Sequence, residues 1–128
     1  METGASGVRT ALVAEDYQEI SQLIADILAG EGYRVVTVTR GSEVVNAARA
    51  CHPRVVLLDL ALPDIPGSEV LRQLAREPLT AVIPVIIVSA YSERLPPSPQ
   101  VRAIISKPFD IDKLVAAVRE VDRSVDCS

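Results

Sequence analysis

The chain has 128 residues and a formal net charge of −4, from 13 lysines and arginines against 17 acids. One domain with a real core fits this length. The acidic balance, with no basic stripe, weighs against direct nucleic-acid binding, and no apolar run approaches the roughly 20 residues of a membrane span. Apolar residues make up 48% of the chain but aromatics only 3%, so the core must be aliphatic, as in parallel strands covered by helices.

Met1-Glu2-Thr3-Gly4-Ala5-Ser6-Gly7 lacks the apolar segment of a signal peptide and reads as a flexible tail, residues 1–7, ahead of one domain over residues 8–125. Ala11–Ala14 is a short continuous apolar run, the pattern of a strand buried on both faces. Ile20, Leu23, Ile24, Ile27 and Leu28 then form a helical stripe that ends at Gly30-Glu31-Gly32. Val35–Val38 is a second strand. A second helix starts at Ser42 as N-cap, carries Val44, Val45 and Ala48, and is closed off by Pro53.

Val55–Leu58 is a third strand, followed by a helix from Ser68 with Val70, Leu71 and Leu74, and then Pro78. Val85–Val88 and Ala103–Ile105 are further strands, and a last helix starts at Asp110 with Leu114, Val115, Val118 and Val121. Between the last two strands the residues Pro96-Pro97-Ser98-Pro99 cannot continue a helix, because each proline lacks an N–H and clashes with the preceding turn. The covering helix there is expected to be missing or vestigial. Cys51 and Cys127 lack metal spacing and read as reduced thiols of a cytosolic protein. His52 reads as a surface imidazole.

The alternation predicts an open α/β sheet with right-handed crossovers, in which ligands bind beyond the carboxyl ends of the strands. Glu15, Asp16, Asp59, Ser89 and Lys107 all fall at such ends. Any one of them could be a solvated loop residue; five at one edge argue for a site. Converging carboxylates stay ionised together only with a cation among them. An oxygen-only cluster suits Mg²⁺. A metal and a lysine flanking a phosphoryl group meet the needs of phosphoryl transfer, with a carboxylate as nucleophile and the Ser89 hydroxyl as donor.

Glu15-Asp16, Asp59 followed by Leu62-Pro63 and Gly67, Ser89-Ala90, and Lys107-Pro108-Phe109 together resemble the receiver domain of two-component response regulators, over roughly residues 8–125. The resemblance implies a three-layer, flavodoxin-like (CheY-like) fold whose five parallel strands run in the order 2-1-3-4-5. It implies Asp59 as phospho-acceptor from a sensor histidine kinase or phosphotransfer protein. Mg²⁺ would lie on Glu15, Asp16, Asp59 and the Ala61 carbonyl, with Ser89 as switch hydroxyl and Lys107 as phosphate-pairing cation. A cis bond before Pro108 is implied too.

Such a domain is cytoplasmic and is not a turnover enzyme. No output module follows Ser128, so the chain reads as a single-domain regulator or a piece of a larger one. Two departures stand out: Ile104 replaces the usual aromatic, and the helix before the fifth strand is lost. An apolar face left bare near Pro96–Pro99 would be covered by that segment or by a second copy of the chain. The alternative reading is a pseudo-receiver, a binding or dimerisation module uncoupled from phosphate. An enzyme on a flavodoxin-like fold is disfavoured, since no strand is followed by a glycine-rich phosphate loop.

Overall fold

The computed structural model describes residues 9–90, 98–108 and 110–127. The chain runs β1 (Arg9–Ala14), α1 (Gln18–Gly30), β2 (Tyr33–Val38), a 3-10 turn (Gly41–Glu43), α2 (Val44–Cys51), β3 (Val55–Leu58), α3 (Gly67–Arg76), a single-turn α4 (Pro78–Ala81), β4 (Val85–Ser89), β5 (Val101–Ser106) and α5 (Ile111–Cys127). All strand pairs are parallel, in the order β2-β1-β3-β4-β5. The expected sheet and its order are therefore present. Among the described residues no helix is long and apolar enough to cross a membrane.

Period-two alternation splits the strand residues between two cores. Leu12, Ala14, Val56, Leu58, Val85 and Ile87 face α2 and α3, against Val44, Val45, Ala48, Val70, Leu71 and Leu74. Ala11, Val13, Val55, Leu57, Ile86, Val88 and Ile105 face α1 and α5, against Ile24, Leu28, Leu114, Val118 and Val121. Burial on both faces is why β1, β3 and β4 read as continuous apolar runs, whereas the edge strand β5 buries one face only. Truncating a large side chain such as Leu57 would cost about 2–5 kcal/mol.

Helix boundaries fall within one or two residues of expectation, with two informative differences. Ser42 is not an N-cap: it lies inside the 3-10 turn, and the side chain of Asp64 holds the free N–H groups there instead. The one-turn α4 after Pro78 was not expected; the Thr80 hydroxyl, buried, secures it by donating to Leu74 O at 2.6 Å. Leu23 belongs to the apolar stripe of α1 yet is exposed, so the buried face is narrower than the stripe. As expected, α1 ends at a glycine, Gly32, in the left-handed region (φ +91°).

Gln100 pins the entry to β5, donating from Nε2 to Thr80 O (2.9 Å) and Ile83 O (3.0 Å). The expected loss of the helix between β4 and β5, and a partner covering the face near Pro96–Pro99, fall largely on residues 91–97, outside the described residues. The tail, residues 1–7, lies outside them too.

At the strands' amino ends Asp122 of α5 pairs with Arg9 of β1 and, at 2.7 Å, with Arg54. The Arg9 guanidinium also lies 4.9 Å from the Tyr33 ring centroid. The Tyr33 hydroxyl is buried beside Asp122. Burial, with the nearby Asp122 charge second, pushes its pKa up to about 12. The unfolded chain ionises this phenol near pH 10 and the folded chain later, so the native state holds the extra proton in between. Stability is then lost as pH rises from about 10 toward 12. Tyr33→Phe is expected to flatten that decline, read as urea midpoints from about pH 9 to pH 12.

Candidate functional site

The sheet itself sets out the site. Beyond the end of β1, Glu15 N–H donates to Val38 O of β2 at 3.1 Å; beyond β3, Asp59 N–H donates to Ala14 O of β1 at 3.0 Å. Beyond β5, Lys107 N–H donates to Ser89 O of β4 at 2.9 Å. Each of the three residues is thus held by the last carbonyl of a neighbouring strand. β1 and β3 are adjacent, so Glu15 and Asp59 meet directly. Lys107 comes from the edge strand and crosses β4 on its long stem.

Glu15 (2% exposed) and Asp59 (5%) are buried, whereas Asp16 is exposed. A carboxylate oxygen from each of the three lies within 4.8 Å of the others. Lys107 Nζ donates to Glu15 Oε1 at 2.6 Å and to Asp59 Oδ2 at 3.2 Å. The second oxygens are also used: Glu15 Oε2 accepts from Tyr17 N–H (3.1 Å) and Asp59 Oδ1 from Ala61 N–H (3.0 Å). Ser89 is buried at the end of β4, beside this group. The Lys107–Pro108 peptide is cis, as expected.

Burial raises the pKa of Glu15 above the ordinary carboxylate range, and the Asp59 charge adds to it, against the lowering pull of Lys107 and the Tyr17 amide. Burial alone would lower Lys107; the bond to Glu15 and the charges of Asp59 and Glu15 outweigh it and hold the ammonium above its usual value. Three ionised acids against one lysine leave two negative charges uncompensated. A dication with a preference for oxygen restores the balance, and the donor set of carboxylates plus the exposed Ala61 suits Mg²⁺.

Asp59 leads into a loop that must fold back at once to start α3. Gly67 permits this: its N–H donates to Leu60 O at 3.3 Å, and a Cβ there would lie 2.9 Å from Leu60 Cα. Ile104, in place of the expected aromatic, is 64% exposed on β5. All six expected site positions, Glu15, Asp16, Asp59, Ala61, Ser89 and Lys107, therefore lie at one edge. Asp64 is a residue the sequence reading passed over. It follows Pro63 as an ordinary loop acid, and its partners, Gly41 and Ser42, lie 23 and 22 positions away.

Residues 11–119 match the response regulator receiver domain. The chain belongs to this family. The receiver is similar to the polar-differentiation response regulator DivK of Brucella ovis, 28% identical over 116 residues that cover 87% of this chain and 94% of DivK. It is also similar to the transcriptional regulatory protein KdpE of Mycobacterium tuberculosis, 38% identical over 119 residues, 88% of this chain but 50% of KdpE. The fold matches the receiver domain of the sensor histidine kinase PA1611 of Pseudomonas aeruginosa, solved with a magnesium ion in its active-site cleft. That likeness has a TM-score of 0.77 at 23% identity and covers 91% of this chain and 96% of the other. The chain is a receiver domain of a two-component response regulator.

Proposed function

We propose that Asp59 accepts a phosphoryl group from the phosphohistidine of a sensor histidine kinase or phosphotransfer protein, and that the acyl phosphate switches protein–protein interactions. The observation that carries this is the Lys107 ammonium shared between two buried carboxylates, Glu15 and Asp59, with two negative charges left over. An Asp59 carboxylate oxygen attacks phosphorus, the P–N bond breaks, and the imidazole leaves with the electron pair and takes up a proton. Lys107 and the Ser89 hydroxyl receive phosphoryl oxygens. Glu15, Asp16, Asp59 and the Ala61 carbonyl would hold Mg²⁺, which neutralises charge on the transferred group when bound. The magnesium-bound PA1611 receiver supports the same choice of metal.

One phosphoryl group is retained per turnover of the donor, so the receiver is a substrate with its own catalytic groups, not a turnover enzyme. A cytoplasmic setting and a receiver unit over residues 8–125, after a tail of 1–7, go with this reading. Incubation with Mg²⁺ and acetyl phosphate is expected to add one phosphoryl group, seen by intact mass, and Asp59→Asn to abolish it. An unmodified wild type would instead favour the pseudo-receiver reading, for which the exposed Ile104 at the readout position is the supporting observation.

A further inference from the structure

We infer that Asp64 is a positioning residue for the phospho-acceptor: by clamping the loop after β3 to the entry of α2, it sets where Ala61 and the Asp59 carboxylate point. This rests on the proposed phosphorylation of Asp59.

The loop Leu60–Pro66 is anchored at its start by Asp59 N–H on β1 and at its end by Gly67 N–H on Leu60 O. Between these anchors Ala61, Pro63 and Asp64 are exposed. The middle is held by the buried Leu62 side chain and, on its polar side, by the Asp64 carboxylate, which accepts Gly41 N–H on Oδ1 at 2.8 Å and Ser42 N–H on Oδ2 at 2.9 Å. The contact is close on both sides of those bonds: a Cβ on Gly41 would sit 2.6 Å from Ile65 Cγ1 and 2.9 Å from Val70 Cγ2. Arg40, at the usual capping position, makes no side-chain cap, so an acid 22 residues beyond Ser42 takes that role.

Three residues before Asp64, Ala61 has two tasks. Its N–H donates to Asp59 Oδ1, and its carbonyl is one of the four groups proposed to hold the metal. A loop free to shift at Asp64 would misdirect both. The hydrogen bonds from Ser42, first its hydroxyl and then its amide, with the Gly41 amide, keep the Asp64 pKa well below the ordinary carboxylate range, which fits a clamp closed at neutral pH.

The test compares wild type with Asp64→Ala and Asp64→Asn. Amide exchange at Gly41 and Ser42 is measured in the metal-free proteins, Mg²⁺ affinity by titration, and phosphorylation by acetyl phosphate at fixed Mg²⁺. In Asp64→Ala, exchange at the two amides should quicken about tenfold or more. Mg²⁺ affinity and phosphorylation rate should each fall about tenfold, as for groups that orient metal ligands. Asp64→Asn keeps one acceptor oxygen and should fall between, so a poorly folded alanine variant still leaves a measurement. Faster exchange with wild-type Mg²⁺ affinity and phosphorylation rate would make Asp64 a helix cap alone and overturn the positioning role. Unchanged exchange would remove the clamp itself. A wild type that binds Mg²⁺ but is never modified at Asp59 would overturn the phosphorylation reading, a different failure seen without any variant.

Discussion

Lys107→Ala is expected to slow phosphorylation of Asp59 by about two to three orders of magnitude, the usual loss when one preorganised donor to developing charge is removed. It should also destabilise the metal-free protein by about 2 kcal/mol. Breaking a buried pair costs about 3–5 kcal/mol, and Lys107 is partly exposed (17%), so the lower figure applies. Without the ammonium, Glu15 and Asp59 face each other across a buried gap. Glu15 is already raised by burial and by Asp59, and loses its main lowering influence. An acid raised above its unfolded value binds its proton more tightly in the fold, so stability is lost as pH rises. The deficit of the variant should therefore widen from acid toward neutral pH. Urea midpoints across that range check the stability, and phosphorylation time courses check the rate. A variant phosphorylated as fast as wild type would remove Lys107 from the site's chemistry.

Mg²⁺ is expected to raise the thermal midpoint by roughly 10 °C at a hundredfold excess over its dissociation constant. A ligand that binds only the native state contributes about 2.7 kcal/mol at that excess, and 1 kcal/mol moves the midpoint of a domain this size by about 4 °C. The physical source is relief of carboxylate repulsion that one lysine only partly offsets. Asp16 separates metal binding from fold maintenance, because it is exposed and makes no ion pair among the described residues. Asp16→Asn should leave the melting curve in EDTA nearly unchanged and remove most of the gain with Mg²⁺. Calorimetry of both proteins with and without the metal decides it. Equal gains in both would take Asp16 out of the metal set.

Much of this architecture was legible because two-sided burial writes itself into sequence. Val55–Leu58 and Val85–Val88 are unbroken apolar runs for that reason, and the acids and lysine just beyond such runs stand out. Sheet order was not in the periodicity; it came with the family resemblance. What stayed hidden depends on partners far apart in the chain. Asp64 holds amides 22 and 23 residues away, and Asp122 reaches Arg9 across 113 residues, so no local pattern marks either acid. Ser42 was misread as an N-cap because capping preference describes the residue next to a helix, whereas here the cap comes from another loop. The short α4 was missed because Pro78 stops one helix and, at the first turn, suits the next.

The three main-chain bonds that fix Glu15, Asp59 and Lys107 also bear on divergence within the family. The separations among Glu15, Asp59 and Lys107 are measured out by the repeat of the parallel ladder, and core side chains only have to keep that ladder packed. Aliphatic residues can therefore be exchanged through generations while the ruler stays the same length. A receiver 28% identical to DivK over 116 residues differs from it at most aligned positions, and in this chain the ladder alone sets the spacing of the charged groups. Drift that shifts a strand by a single residue is another matter, since it would move a charged group by a full step of the ruler and turn it to the other face.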